Sequence, residues 1–189
     1  MSAQDSKLFV ISGPSGAGKG TLVTRVRERR SNLGLTVSAT TRAPRKGEVD
    51  GVNCFFLTRE EFDRRVANGE FVEWAEVHGN CYGTLVSEVQ SKLASGASLI
   101  LEIDVQGALQ VKERFPEAVL IFIKPPSLEV LRERLVGRGT ETPETIELRM
   151  ANAAHELALA DRYDDVVVND DLDRATDELV RVLDMHERI

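Results

Sequence analysis

The chain has 189 residues, enough for one well-buried domain with inserted lobes. Its 42% hydrophobic and 29% charged residues exclude a disordered chain, and no apolar run approaches the roughly 20 residues that span a bilayer. A net charge of −7 without a basic stripe argues against a nucleic-acid-binding protein. The two isolated cysteines, Cys54 and Cys81, argue against a metal site or a disulfide framework.

The first residues predict the opening unit of an α/β fold. The apolar run at 8–11 is typical of a buried strand rather than of a signal peptide, so we expect a cytoplasmic protein. A Gly-Pro turn ends this strand, and a helix is predicted at about 19–30.

Residues 35–84 have a different pattern. Short alternating segments at 35–38, 54–57 and 71–77 are separated by turn residues and by one helix at about 60–68. This pattern predicts a small mixed lobe, partly antiparallel.

The remaining residues return to the pattern of a parallel α/β protein. A helix at about 86–94 precedes near-continuous apolar runs at 98–104, 119–123 and 166–168, which are typical of buried parallel strands. Between the last two strands, leucines at helical spacing and the N-cap pair Thr142-Pro143 predict an Arg-rich helical segment, and a last helix follows at about 172–187. We therefore predict a doubly wound core with two insertions. The core comprises 1–34, 86–124 and 163–189, and the insertions are 35–85 and 125–162.

A glycine-rich segment follows the first predicted strand and matches a Walker A loop. In such a loop, backbone N–H groups and a helix N-terminus bind phosphates, while the lysine bridges the β- and γ-phosphates. We predict that a nucleoside triphosphate is bound by Gly13, Pro14, Ser15, Gly16, Ala17, Gly18, Lys19, Gly20 and Thr21.

The loop departs from the motif at Gly20, where Ser or Thr normally coordinates Mg²⁺. We therefore expect the Mg²⁺ to be held by phosphate oxygens and water without a direct protein ligand. Glu102 or Asp104 would orient those waters.

A second anion site is predicted within residues 38–48. Arg42 and Arg45 straddle a proline turn, and two guanidiniums held on a turn suit a phosphate. Alone, such a segment is more often a solvated basic loop, but the Walker A loop upstream favours the anion site here.

Glu73 is the candidate for base recognition. It lies between two apolar residues, where a carboxylate needs a partner unless it faces solvent at an edge strand. Guanine is a suitable partner because its N1–H and N2–H₂ are adjacent donors that fit two carboxylate oxygens. Adenine presents an acceptor at N1 and would repel the carboxylate.

These segments together resemble the guanylate kinase family from the first predicted strand to the last helix. The matching signatures stand in order as GPSGAGKGT, SATTRAPRKGEVDG, FVEWAEVHGNCYGT, LEIDVQGA, PPS, RLVGRGTET and VVVNDDL. The resemblance implies a P-loop NTPase-type three-layer α/β fold with a central parallel sheet, a small mixed GMP-binding lobe at 35–85 and a helical lid at 125–162. It also implies Mg²⁺-dependent transfer of a phosphoryl group from ATP to GMP, and to dGMP.

The resemblance further implies roles for individual residues. Asn169 would sit near the adenine of ATP. Phosphoryl transfer would be assisted by Lys19, Arg134, Arg138 and Arg149. GMP would be bound by Ser38, Arg42, Arg45, Glu48, Glu73, Tyr82, Thr84 and Asp104.

One position departs from the family pattern. Members usually carry Tyr where this chain has Cys54, and that phenol reaches the GMP phosphate. We expect the shorter thiol to weaken GMP binding without affecting the chemistry.

Two alternatives stay open. Guanylate-kinase-like domains of membrane-associated scaffold proteins bind phosphopeptides without catalysis, but their phosphate loops are degraded, whereas Lys19 is present here. The second alternative is a P-loop kinase that acts on another phosphorylated acceptor, although Glu73 with Thr84 favours guanine. We expect ATP and GMP as partners, no nucleic acid or membrane, and a monomer or small homo-oligomer.

Overall fold

The computed structural model describes residues 6–77, 79–137, 139 and 142–187. Within these ranges, five parallel strands form the central sheet: β1 (Leu8–Ser12), β2 (Gly34–Leu35), β7 (Leu99–Glu102), β8 (Val119–Lys124) and β9 (Asp165–Val168). Their spatial order is β2-β7-β1-β8-β9. The predicted fold class, α/β with a central parallel sheet, is confirmed.

Helices cover both faces of this sheet, which explains why its strands are apolar on both sides. On one face, Phe9 and Ile11 of β1 pack towards α1 (Lys19–Arg29) and α7 (Leu172–Glu187). On the other face, Leu8 and Val10 pack towards α3 (Val86–Ala94) and α4 (Val105–Arg114). The alternation within β1 therefore divides the core into two layers around the sheet.

A second, mixed sheet is formed by β3 (Ser38–Thr40), β4 (Phe55–Phe56), β5 (Phe71–Val77) and β6 (Asn80–Leu85). Its order is β4-β3-β6-β5, and α2 (Arg59–Ala67) covers one face. The rings of Phe62 on α2 and Phe71 on β5 are stacked 4.4 Å apart, so this sheet has its own small apolar core.

Two further helices, α5 (Leu128–Gly137) and α6 (Pro143–Leu157), pack against each other. The predicted N-cap is confirmed, because the Thr142 hydroxyl accepts a hydrogen bond from the backbone N–H of Thr145. The contact between the helices is apolar and is formed by Leu131, Leu135, Ile146, Met150 and Ala153.

One local prediction is wrong, and two elements were missed. The segment predicted as one strand at 35–38 is divided, because Leu35 pairs with β7 of the central sheet while Ser38 pairs with β6 of the second sheet. Two elements were not assigned from the sequence patterns, namely α4 between β7 and β8, and the strand β6. In the described part of the chain, no helix is both long and apolar enough to cross a membrane.

Candidate active site

The glycine-rich loop connects β1 to α1 in a conformation that requires glycine. Gly13 has a φ of 144°, and a Cβ there would lie 2.3 Å from the carbonyl oxygen of Ile123. Gly16 and Gly18 both have a φ of 91°. The Lys19 Nζ donates to the carbonyl oxygens of Gly13 at 2.5 Å and Pro14 at 3.1 Å, so the ammonium is folded back over the loop. The loop thus has the wrapped form of a phosphate cradle.

Among the described residues, two cavities are lined by both Gly16 and Gly18 of this loop. One, of about 310 Å³, is lined by Ser15, Gly16, Gly18, Lys19, Gly20, Thr21 and Glu102. The other, of about 340 Å³, is lined by Gly16, Gly18, Thr21, Arg134, Asn169, Asp170 and Leu172. The second cavity, called the donor cavity below, brings the predicted adenine-site residue Asn169 together with the loop.

Gly20 faces a carboxylate. A Cβ at Gly20 would lie 3.5 Å from Oε1 and 3.8 Å from Oε2 of Glu102. Asp104, the other residue predicted to orient metal-bound water, instead caps α4, where its Oδ1 accepts from the Gly107 N–H at 2.7 Å. Of the two acids, Glu102 is therefore the one beside the phosphate loop.

Three predicted base-site residues form a row across the second sheet. Ser38 on β3 is the register partner of Thr84 on β6, and Thr84 is the partner of Glu73 on β5. Directly paired residues present their side chains on the same face of a sheet. Ser38 and Thr84 also line a cavity of about 330 Å³ together with Gly20 and Glu102, called the acceptor cavity below.

A β-bulge places Glu73 in this row. Along β5 the register shifts between Phe71, which pairs with Leu85, and Glu73, which pairs with Thr84. Two steps along β5 therefore match one step along β6, so Phe71 joins the apolar core against α2 while Glu73 faces the opposite side.

The environment of Glu73 changes its acidity. The Thr84 hydroxyl donates to Glu73 Oε1 at 2.8 Å, and a Cβ at Gly107 of α4 would lie 3.5 Å from Oε2. Burial raises the pKa of Glu73, and the nearby Asp104 charge adds to the increase, while the Thr84 hydrogen bond opposes it. A ligand that donates to this carboxylate would relieve the cost of burial.

The arginine turn is organised by Glu48. Arg42 donates to both carboxylate oxygens of Glu48 at 2.9 and 3.0 Å, and the backbone N–H of Arg45 donates to one of them at 2.6 Å. These hydrogen bonds hold the pKa of Glu48 below its usual range, and the bonds from Arg42 have the largest effect. The Arg42 guanidinium also lies 5.7 Å from the centre of the Phe56 ring. Arg42 is thus fixed by a carboxylate and an aromatic ring.

Cys54 lies within the electrostatic reach of Arg42. Burial raises the pKa of the Cys54 thiol, although the Arg42 charge opposes the increase. The thiol is therefore neutral at pH 7. Tyr82 pairs with Thr40, and it shares a face of β6 with Thr84 because the two lie two positions apart along the strand.

Two of the predicted arginines of the helical insertion, Arg134 and Arg149, form hydrogen bonds on the donor side. Arg134 on α5 donates to the carbonyl oxygen of Asn169 at 2.8 Å, and Arg149 on α6 hydrogen-bonds the Ser15 hydroxyl of the loop. Arg138 lies outside the described residues.

Sequence reasoning missed Glu156, a half-buried carboxylate on α6. Burial raises its pKa, while the opposite charge of Lys19 lowers it and Asp104 raises it. No local motif surrounds Glu156 in the sequence, since its proximity to Lys19 arises only from the packing of α6.

Comparison with known proteins gives a consistent result. The family model described as guanylate kinase matches residues 5–186. Guanylate kinase of Gloeobacter violaceus is 56% identical over 178 residues, covering 94% of this chain and 87% of that protein. That of Halalkalibacterium halodurans is 51% identical over 183 residues, covering 97% and 90%. A crystal structure of guanylate kinase from Anaplasma phagocytophilum superposes with a TM-score of 0.73 at 36% identity, covering 97% of this chain and 87% of that one. The chain therefore belongs to the guanylate kinase family.

Proposed function

We propose that this protein transfers the γ-phosphoryl group of ATP to GMP, forming ADP and GDP, and that it also accepts dGMP. The main support for the proposal is that the cavity at the phosphate loop and the acceptor cavity share two lining residues. Gly20 and Glu102 line both the cavity at the phosphate loop and the acceptor cavity that contains Ser38 and Thr84. A donor phosphate and an acceptor nucleotide would therefore meet at Gly20.

The acceptor would be read as a guanine nucleotide. Glu73 would accept N1–H and N2–H₂, with Ser38, Thr84 and Asp104 around the same ring. Arg42, Arg45, Glu48 and Tyr82 would form the phosphate site, which is supported by the bidentate fixation of Arg42.

The donor would be held by residues 13–21, with Asn169 beside the donor cavity. Mg²⁺ bound to the phosphates would neutralise charge on the transferring group, and the position of Glu102 favours that residue for orienting its water ligands. Lys19, Arg134, Arg138 and Arg149 would offset the charge on the equatorial oxygens during in-line transfer.

No general base is needed in this reaction. The acceptor is itself a phosphate with a second pKa of about 6, so it is mostly a dianion at neutral pH. The chain's task is therefore to bring two anions together and to exclude water. We propose that the segment 125–162 is a lid that excludes water, and that it closes over a core of 1–34, 86–124 and 163–189. The segment 35–85 is the acceptor lobe in this proposal.

The proposal is tested by measuring ADP release from ATP with GMP, dGMP, AMP, UMP or dTMP as acceptor. We expect release with GMP and dGMP only. Activity only with a non-guanine acceptor would identify a different P-loop kinase, and binding of GMP without ADP release would indicate a non-catalytic domain.

A further inference from the structure

Asn169 connects three segments of the protein. It follows β9 and is buried, with 5% of its surface exposed. Its backbone N–H donates to the carbonyl oxygen of Lys124, at the end of β8, at 2.8 Å. Its own carbonyl oxygen accepts from Arg134 at 2.8 Å, and its side-chain Nδ2 donates to the carbonyl oxygen of Ala17 in the phosphate loop at 2.8 Å. The loop is thereby tied to the sheet and to α5 through one residue.

The orientation of the Asn169 amide is fixed by chemistry. The Ala17 carbonyl can only accept, so the amide nitrogen of Asn169 must face the loop. The neighbouring Gly18 fits closely against it, because a Cβ at Gly18 would lie 2.4 Å from Nδ2. The side chain is therefore engaged with the loop backbone.

This contact also determines where a loop N–H points. In a trans peptide, the C=O of Ala17 and the N–H of Gly18 point in opposite directions. Fixing the Ala17 carbonyl towards Asn169 directs the Gly18 N–H away from Asn169. Gly18 lines the cavity at the phosphate loop as well as the donor cavity, so an N–H with this direction is available to a donor phosphate.

We propose that Asn169 is a positioning residue, which holds the Ala17–Gly18 peptide so that the loop binds the donor phosphates. The inference rests on the proposed function in assuming a triphosphate donor. It predicts that loss of the Asn169 amide weakens the binding of a triphosphate even when the donor lacks the 6-amino group or the whole base.

The test compares ATP with purine riboside triphosphate, which lacks only the 6-amino group of adenine. We expect Asn169→Ala to lower kcat/KM about tenfold for both donors, including the one that lacks the 6-amino group. Asn169→Asp should have a larger effect, because a carboxylate would face the Ala17 carbonyl. Asn68→Asp, at the exposed end of α2, is the matched control and should change neither value. A loss confined to ATP, or no loss with either donor, would overturn the proposal.

A binding measurement separates this inference from the proposed reaction. Inorganic tripolyphosphate has no base, and its Kd can be measured by titration calorimetry whether or not GMP is phosphorylated. We expect Asn169→Ala to raise this Kd about tenfold while the Kd for GMP stays within about twofold, which also shows that the variant is folded. An unchanged Kd for tripolyphosphate would contradict the positioning role. Absence of GMP-dependent ADP release in the parent would instead contradict the proposed function.

Discussion

At the scale of single residues, Glu73 owes its properties to burial beside another acid. Its carboxylate is desolvated, close to the charge of Asp104, and held by one hydroxyl donor from Thr84. A bidentate donor such as guanine would stabilise the ionised form, whereas the protonated form could not accept from both N1–H and N2–H₂. Recognition should therefore require ionised Glu73 and weaken as the pH falls through its raised pKa.

The pH dependence of kcat/KM for GMP tests this role. We expect Glu73→Gln to lower kcat/KM about 10- to 100-fold near neutral pH, because a hydrogen bond to a charged group is lost. The kcat/KM of the parent should fall at acid pH as both Glu73 and the GMP phosphate become protonated. The kcat/KM of the variant should fall only as the GMP phosphate becomes protonated. Glu76→Gln, on the same strand but paired with Arg59, is the control. Identical pH profiles of the parent and Glu73→Gln would contradict the assignment.

Lys19 provides a prediction about chemistry rather than recognition. We expect Lys19→Ala to lower kcat about 10²- to 10³-fold, since a charge that stabilises the transferring phosphoryl group is removed. KM for GMP should change little, because the base-site residues Ser38, Glu73 and Thr84 lie on the second sheet. Arg149→Ala should likewise lower kcat and leave KM for GMP nearly unchanged. Steady-state kinetics with near-normal kcat in both variants would contradict these roles.

Cys54 provides a prediction about GMP binding rather than about the chemical step. Its thiol is neutral, because burial raises its pKa, and it is a weak donor beside Arg42. Cys54→Tyr should lower KM for GMP about tenfold at similar kcat, because a phenol can donate to the phosphate. An unchanged KM would show that the arginine turn already holds the phosphate without a contribution from this position.

At the scale of elements, packing determines which side chains reach the site. The loop, the arginine turn and the parallel strands could be predicted from sequence, because glycine spacing and apolar runs are local signals. The β-bulge before Glu73 could not be predicted, since it appears only when β5 pairs with β6. The pairing of Leu35 with β7 likewise depends on a partner more than 60 residues away.

Helix α5 joins the insertion to the loop through apolar contact. Leu131 is fully buried, and a Cβ at Gly16 would lie 2.9 Å from its Cδ1. We expect Leu131→Ala to lower the free energy of unfolding by about 2–5 kcal/mol, because a cavity would form between α5 and its neighbours. Leu148→Ala, on the exposed face of α6 with 62% of its surface exposed, should change it by less than about 0.5 kcal/mol. Chemical denaturation measures both values, and equal effects would contradict this packing.

At the scale of the whole molecule, residues from the parallel sheet and from the second sheet line one cavity. The parallel sheet carries the glycine-rich loop at the carboxyl end of β1, where nucleotide sites of open α/β sheets generally lie. The smaller sheet presents Ser38, Thr84 and Glu73 in a row whose cavity reaches Gly20. The residue types of this site were evident in the sequence, but their alignment across three strands follows from tertiary structure alone.

The most direct test of this account follows the phosphoryl group itself. The protein is incubated with GMP and ATP labelled at the γ-phosphate, and the labelled products are separated. We predict that the label appears in GDP in proportion to the ADP formed, with only a trace of inorganic phosphate. Label released mainly as inorganic phosphate, or ADP formation independent of GMP, would contradict the central claim that donor and acceptor sites form one transferase centre.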